Sequence, residues 1–380
     1  MNELLKYYHA NWVDGMKINK NHFIGIENAG LDRIKDAIAC RLNDNNYGLL
    51  PSYNNEGNPL KIVMTIDNQK TLRVKIFECR AMTPGGARIE IMENGPDNQG
   101  LAVPFPENTF EITGTEIENI VYVALAVDPF SRVPFGNADP SEEPPRYPFV
   151  TPAYRVHIIP EEQLTKKELG PCFLLIGKIR IADQKPELIK EYIPPCTTVK
   201  SFNMLLRAHA EFDKFFGQLE LDLLKILNKI SEKEQSNVLA RVVANLSENM
   251  LYFLSTGILE FRWKIIDQPP LFMFEYVARL ARLIKNTIDS NSGEAKEELL
   301  NYFTDWCSLK QGEFEKTLIG TVNFQYEHNN SYTTLLLMMK FTDVIATLFN
   351  KLSILEYIGK KKDTNIFVKE QTGKKSFLAE

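Results

Sequence analysis

The residues of this chain best suited to nucleophilic, acid-base or metal chemistry are five histidines (His9, His22, His157, His209, His328) and five cysteines (Cys40, Cys79, Cys172, Cys196, Cys307). A helical metal site needs two histidines three to five residues apart, usually with a carboxylate between them. No pair here has that spacing. The cysteines are odd in number, widely scattered and never in a CxxC pair, so neither a zinc site nor a disulfide framework is indicated. Reduced thiols in a cytosolic protein are the expectation. GPDNQG (95–100) offers oxygen ligands, but its spacing departs from a calcium loop and predicts a hairpin turn. The paired carboxylates Glu142 and Glu143 lie in a proline-rich stretch, a poor scaffold for acid-base work. GxGxxG, GxxxxGK[ST] and GxSxG are all missing. This inventory points to a protein that is not an enzyme and needs no cofactor.

The elements that must position these residues follow two periodicities. Eighteen of the 20 prolines lie at or before Pro195, and Pro269 and Pro270 are the others. Proline costs about 3 kcal/mol in a helix interior, so the first half is expected to be turn-rich and the second helical. With 380 residues, two or three domains are expected. The start, MNELLKYYHANW, has no basic stretch followed by an apolar one, so no signal peptide is expected. The apolar stretch 335–349 is interrupted by Lys340 and Asp343, short of the ~20 apolar residues of a spanning helix. A formal charge of −5 gives no reason to expect nucleic acid.

One helix is predicted within 20–40. From residue 60 the period becomes two: LKIVMTI (60–66), TLRVKIFECRAM (71–82) and ARIEIM (87–92) read as half-buried strands, with TPGG (83–86) as a turn. IENIVYVALAV (117–127) fits a central strand, and YRVHII (154–159) and FLLIGKIRIA (173–182) complete at least six. No helical patterns separate them, so an antiparallel sandwich or barrel is expected rather than a parallel sheet. Residues 129–152 hold seven prolines and read as an irregular loop or an extended arm. Phe130, Phe135, Tyr147 and Phe149 would be the anchors of a docking arm.

From Phe202 the chain carries a seam of Phe202, Leu205, His209, Phe212, Phe216, Leu219, Leu223, Ile226 and Ile230, spaced alternately three and four. That is a heptad seam with one polar position, His209, read as fixing register rather than binding metal. Leu206, Phe215 and Leu227 widen it, which predicts a bundle. Further helices are expected from about Glu232, after Pro270, and over Leu299, Phe303, Trp306 and Phe314. A last helix is expected from Ser331 to about Tyr357. Beyond it come a lysine-rich tail, solvated or in contact with acidic protein or lipid, and a short strand at 365–370.

The segment NWVDGMKINKNHF (11–23) resembles the opening signature of the TssK family of type VI secretion baseplate components, W-x-[DE]-G-M-x-[LI]-x-x-x-H-F. Trp12, Asp14, Gly15, Met16, Ile18, His22 and Phe23 match it, while Lys20 and Asn21 replace the usual Pro-Gln. IGKIRI (176–181) with EYIPPC (191–196), and QPPLFMFEYVARLARLI (268–284), look like two further landmarks of that family. The resemblance implies an α+β multidomain protein. Its parts would be an N-terminal antiparallel β-sandwich "shoulder" (1–195), a four-helix-bundle "neck" that trimerises (196–314) and a small α-rich C-terminal "head" (315–380). It also implies a homotrimeric adaptor, cytoplasmic at the inner face of the cytoplasmic membrane. Shoulders would dock on the wedge proteins TssF and TssG, and heads would reach a membrane-complex protein. The signature residues are expected either to build the shoulder or to contact a partner. Physically, Asp14-Gly15 should form a tight turn, His22 should hydrogen-bond that turn, and Trp12 and Phe23 are too large to leave exposed. The short head departs from the family and suits a divergent, Bacteroidetes-like system. Shoulder and neck also look similar to siphophage receptor-binding proteins. A trimeric β-sandwich protein binding a carbohydrate or another ligand is therefore the alternative.

Overall fold

The computed structural model describes residues 4–53, 58–92, 105–112, 118–164, 169–182, 185–291, 293–307 and 311–359. The expected turn at 95–100, the lysine-rich tail and the strand at 365–370 lie outside the described residues. The chain divides into two compact units. The first comprises 1–210, 261–274 and 325–335, and the second 211–260, 275–324 and 336–380.

In the first unit, helix α1 (Lys20–Ala39) begins at Asn19, whose side chain accepts the Asn21 amide at 2.9 Å. The His22 ring accepts the Asn19 amide at 3.2 Å and completes a reciprocal cap. Among the described residues nine strands follow: β1 (Gly48–Leu49), β2 (Leu60–Ile66), β3 (Thr71–Met82), β4 (Arg88–Ile91), β5 (Glu107–Glu111), β6 (Glu118–Phe135), β7 (Phe149–Pro160), β8 (Phe173–Ala182) and β9 (Lys185–Leu188), with the short helix α2 (Glu161–Leu164) after β7.

They form two antiparallel sheets. In one, β3 pairs with β1, β2, β4 and β5; the other runs β7-β6-β8-β9. β3 buries Leu72, Val74 and Ile76 on even numbers, then Cys79 and Ala81 on odd ones. A register shift between Lys61 and Ile62 of β2 sets Phe77 out of the pairing, and this bulge exchanges the faces. β6, laddered on both sides, buries every residue from Val121 to Leu125, as a central strand should. Asn108 of β5 donates to the Val156 carbonyl of β7 at 2.8 Å, and the Tyr154 hydroxyl of β7 accepts the Glu90 amide of β4 at 3.2 Å. The two sheets therefore meet directly.

The proline-rich segment differs from the irregular course expected. β6 and β7 pair through it, with Val133 opposite Thr151 and Phe135 opposite Phe149, after a shift between Asp128 and Val133. Prolines are tolerated there because β7 is an edge strand and β8 stops pairing at Ala126. Pro134 and Pro152 can thus turn their missing amides away from a ladder.

After β9, Tyr192, Ile193 and Cys196 are buried. The Leu49 amide donates to the Pro195 carbonyl at 2.7 Å, and the Thr197 amide returns to Leu49 at 2.9 Å. Among the described residues six α-helices follow: α3 (Asn203–Glu232), α4 (Val238–Trp263), α5 (Pro270–Asp289), α6 (Glu294–Cys307), α7 (Gln311–Val322) and α8 (Tyr332–Ile354). Phe314 belongs to α7 rather than to the fourth helix expected. In the second unit, Phe212, Phe216, Leu219, Leu223 and Ile226 of α3 are buried. So are Leu246 and Met250 of α4, and Val277 and Ile284 of α5. The Phe303 ring of α6 packs on Phe314 of α7 and Phe349 of α8, with centroids 6.0 and 6.3 Å apart. The buried Asp222 of α3 accepts from Gln218 at 3.2 Å and from Ser353 of α8 at 3.1 Å. Lys229 donates to the Ser353 carbonyl at 2.6 Å. α8 is long and apolar enough to cross a membrane by composition, but its apolar side (Phe341, Ile345, Leu348, Leu352) is buried in protein.

Candidate interaction surfaces

Among the described residues no three histidine, cysteine, aspartate or glutamate side chains converge as metal ligands would. Burial pushes the Cys79 thiol up to about 12 and raises that of Cys196 as well, which keeps both protonated and poorly nucleophilic. Glu142 is held bidentately by Arg146, at 2.7 and 2.9 Å, in the exposed hairpin tip. His209 is buried, stacked on the Phe261 ring at 4.6 Å, with its Nε2 2.9 Å from the Phe261 carbonyl. It is satisfied by backbone.

The signature residues gather at the start of α1. Asp14 and Gly15 make the expected turn, closed by the Met16 amide on the Val13 carbonyl at 3.2 Å, with Gly15 at φ +76°. That sign of φ favours glycine. His22 bonds the Asn19 amide as a helix cap, not the Asp14-Gly15 turn. The Trp12 ring lies 6.1 Å from that of His22. Against expectation, Trp12 is 49% exposed, and Phe23 (57%) and Ile18 (57%) are no better covered. The reason is the way α1 is turned: its protein-facing side carries Asn28, Ala29, Asp32 and Lys35. Asp32 accepts the Lys6 and Tyr7 amides at 2.5 and 3.1 Å and so holds the N-terminal segment against the helix.

The seam residues of α3 from Leu205 to Ile226 are buried within the single chain, while Phe202 and Ile230 are half-buried. The exposed stripe of α3 is Gly217, half-buried, with Leu221 and Leu224. Of the proline-rich segment, Phe130 packs on Tyr7 at 4.6 Å and Phe135 on Phe149 at 5.6 Å, both half-buried. Tyr147 and Phe149 are exposed beside an open concavity of about 720 Å³ lined by Pro134, Glu142, Pro144, Arg146 and Val150. The exposed Leu31, Leu221, Leu224, Tyr252 and Leu259 escaped the sequence reading, because periodicity finds a helix's apolar stripe and not which stripe the fold covers.

No family model matches the sequence, and no curated protein matches it. Among solved structures, a chain from "the baseplate complex from the type VI secretion system" is similar at 11% identity and a TM-score of 0.51, over 90% of this chain and 99% of that one. The chain shares its fold with a type VI secretion baseplate chain. A crystal structure of TssK is similar at 12% identity and a TM-score of 0.48, over 88% of this chain and 69% of that one. TssK from EAEC in complex with nanobody nb18 gives 13% and 0.47, over 87% and 99%. At 11% identity the likeness to the baseplate chain is one of fold alone.

Proposed function

We propose that the chain is a non-enzymatic structural adaptor of a type VI secretion baseplate, working as a homotrimer at the cytoplasmic face of the inner membrane. The observation that carries this reading is the fold shared over 90% of this chain and 99% of a baseplate chain. The landmarks at 11–23, 191–196 and 268–284 support it independently. In this reading residues 1–195 are a β-sandwich shoulder that docks on TssF and TssG. Residues 196–314 are the trimerising neck, and residues 315–380 are the head facing a membrane-complex protein.

Because the α3 seam is already buried in each protomer, it holds the protomer's own bundle. The trimer contact then falls to surface such as Leu221 and Leu224. Gly217, one turn earlier, has no atom within 4 Å of where a Cβ would stand. A helical glycine costs about 1 kcal/mol relative to alanine, and close approach of a second copy would give it a use.

Mass photometry at micromolar concentration should give three times the chain mass, and affinity purification of the full chain from its own cells should recover wedge proteins. A clean monomer would sink the trimer. Reproducible binding on a glycan array without wedge proteins would replace the adaptor with the carbohydrate-binding alternative.

A further inference from the structure

α1 is amphipathic in the wrong sense for a helix packed on its own chain. Its covered side holds Asp32 (4% exposed) and Lys35 (6%), while Phe23 (57%), Leu31 (38%) and Ile34 (60%) face outward. At 3.6 residues per turn, Phe23, Glu27, Gly30, Ile34 and Ala37, spaced four, three, four and three, form one stripe opposite Asp32. Among the described residues no atom lies within 4 Å of a Cβ built at Gly30, so none of them fills the middle of the stripe. Glu27, the one charge in it, is neutralised by Arg132 at 2.6 Å. Ahead of the helix start, Trp12 (beside His22), Val13 and Ile18 are exposed as well.

The geometry points to this face as a docking site for one amphipathic helix of another protein, apolar at three-four spacing and flanked by acidic residues. The four-three repeat with a glycine at its centre fits a close-packed helix rather than a strand. The rim decides the charge. Lys17, Lys20 and Arg33 are exposed and form no ion pair among the described residues, against a single exposed free acid, Asp14. A second copy of this chain would bring the same cations against these, so charge complementarity favours a foreign acidic segment. Phe23, Leu31 and Ile34 on one helix face are a cluster rather than single scattered surface residues, and such a cluster marks an interaction site. The inference goes beyond the adaptor reading by naming the surface and the partner's chemistry, and it does not require that partner to be a wedge protein.

The test places a photo-crosslinking amino acid at Phe23, and separately at Ile34, in the full chain expressed in its own cells. Crosslinked peptides are then sequenced by mass spectrometry. Both positions should reach the same segment of one other protein, with apolar residues at three-four spacing and aspartate or glutamate beside them. Lys20→Glu with Arg33→Glu should cut that crosslink at least tenfold without moving the midpoint of thermal unfolding by more than a degree or two. Crosslinks to a second copy, to a segment without acidic flanks, or to nothing would overturn the proposal. So would a crosslink indifferent to the charge reversal. Recovery of wedge proteins by the unmodified chain is scored separately. A crosslink of the expected chemistry without wedge recovery keeps this surface and refutes the adaptor reading, whereas wedge recovery with no α1 crosslink does the reverse.

Discussion

Acidification should loosen the first unit through one residue, His328. Its ring is buried with both nitrogens engaged: Nε2 lies 2.7 Å from the Tyr47 carbonyl and Nδ1 2.8 Å from the Tyr326 hydroxyl. A carbonyl can only accept, so Nε2 carries the proton and Nδ1 accepts from Tyr326. Burial holds the imidazole down at about 4 against an ordinary 6.5, outweighing the Tyr47 carbonyl and the charge of Asp44, which both favour protonation. Because the folded value is depressed, the unfolded chain takes up the proton first. The stabilisation is complete above pH 6.5 and is lost as pH falls from 6.5 towards 4. The gap from 6.5 to about 4, at about 1.4 kcal/mol per pH unit, amounts to about 3 kcal/mol, of which about 2 kcal/mol is gone by pH 5. Urea unfolding at pH 7 and pH 5 should show the wild type losing about 2 kcal/mol more than His328→Gln, whose side chain does not titrate. The ring protons of His328 in NMR should titrate near 4. An NMR midpoint near 6.5, or equal losses in both proteins, would refute the assignment.

Four further outcomes follow from packing. Leu223→Ala in the buried seam should cost about 2–5 kcal/mol in urea unfolding. Leu221→Asp with Leu224→Asp on the exposed stripe should instead lower the particle mass in mass photometry with little change in protomer stability; an unchanged trimer would remove that stripe from the interface. Gly48 sits at φ +117°, and a Cβ there would stand 2.0 Å from the Pro195 carbonyl oxygen, backbone against backbone. Gly48→Ala should therefore yield insoluble or markedly destabilised protein, and an ordinary thermal unfolding curve would contradict it. Asp222→Ala strips Gln218 and Ser353 of a shared buried acceptor and should cost about 1–3 kcal/mol by urea unfolding, with Asp222→Asn recovering part of that loss.

What could be read ahead of the structure was whatever a local period encodes. β2, β3 and β8 occur at the boundaries their alternation predicted, and α3 covers the heptad run from Leu205 to Ile230, because each repeat is written within one segment. The β6–β7 extension through the prolines was not legible, since its tolerance depends on which strand ends up at an edge, a property of the assembled sheet. His328 shows the same limit at a single residue. Its partner carbonyl belongs to Tyr47, 281 residues away in the chain, and no spacing rule joins them.

The candidate surface shows a different limit. Periodicity marked α1 as a helix within 20–40, and Phe23 on it read as too large to leave exposed. Asp32 decides otherwise. A buried carboxylate with two backbone amides to hold must face the protein, since leaving those amides and that charge unpaired would cost more than exposing an isoleucine. Once Asp32 and Lys35 take the inner side, helical geometry turns Phe23 and Ile34 outward. Phe23, expected to be covered on the strength of its size, becomes available to a partner for that reason. A helix whose polar residues have long-range backbone partners can be inverted without any change in its hydrophobic period, and the inversion identifies the face that a second protein can cover.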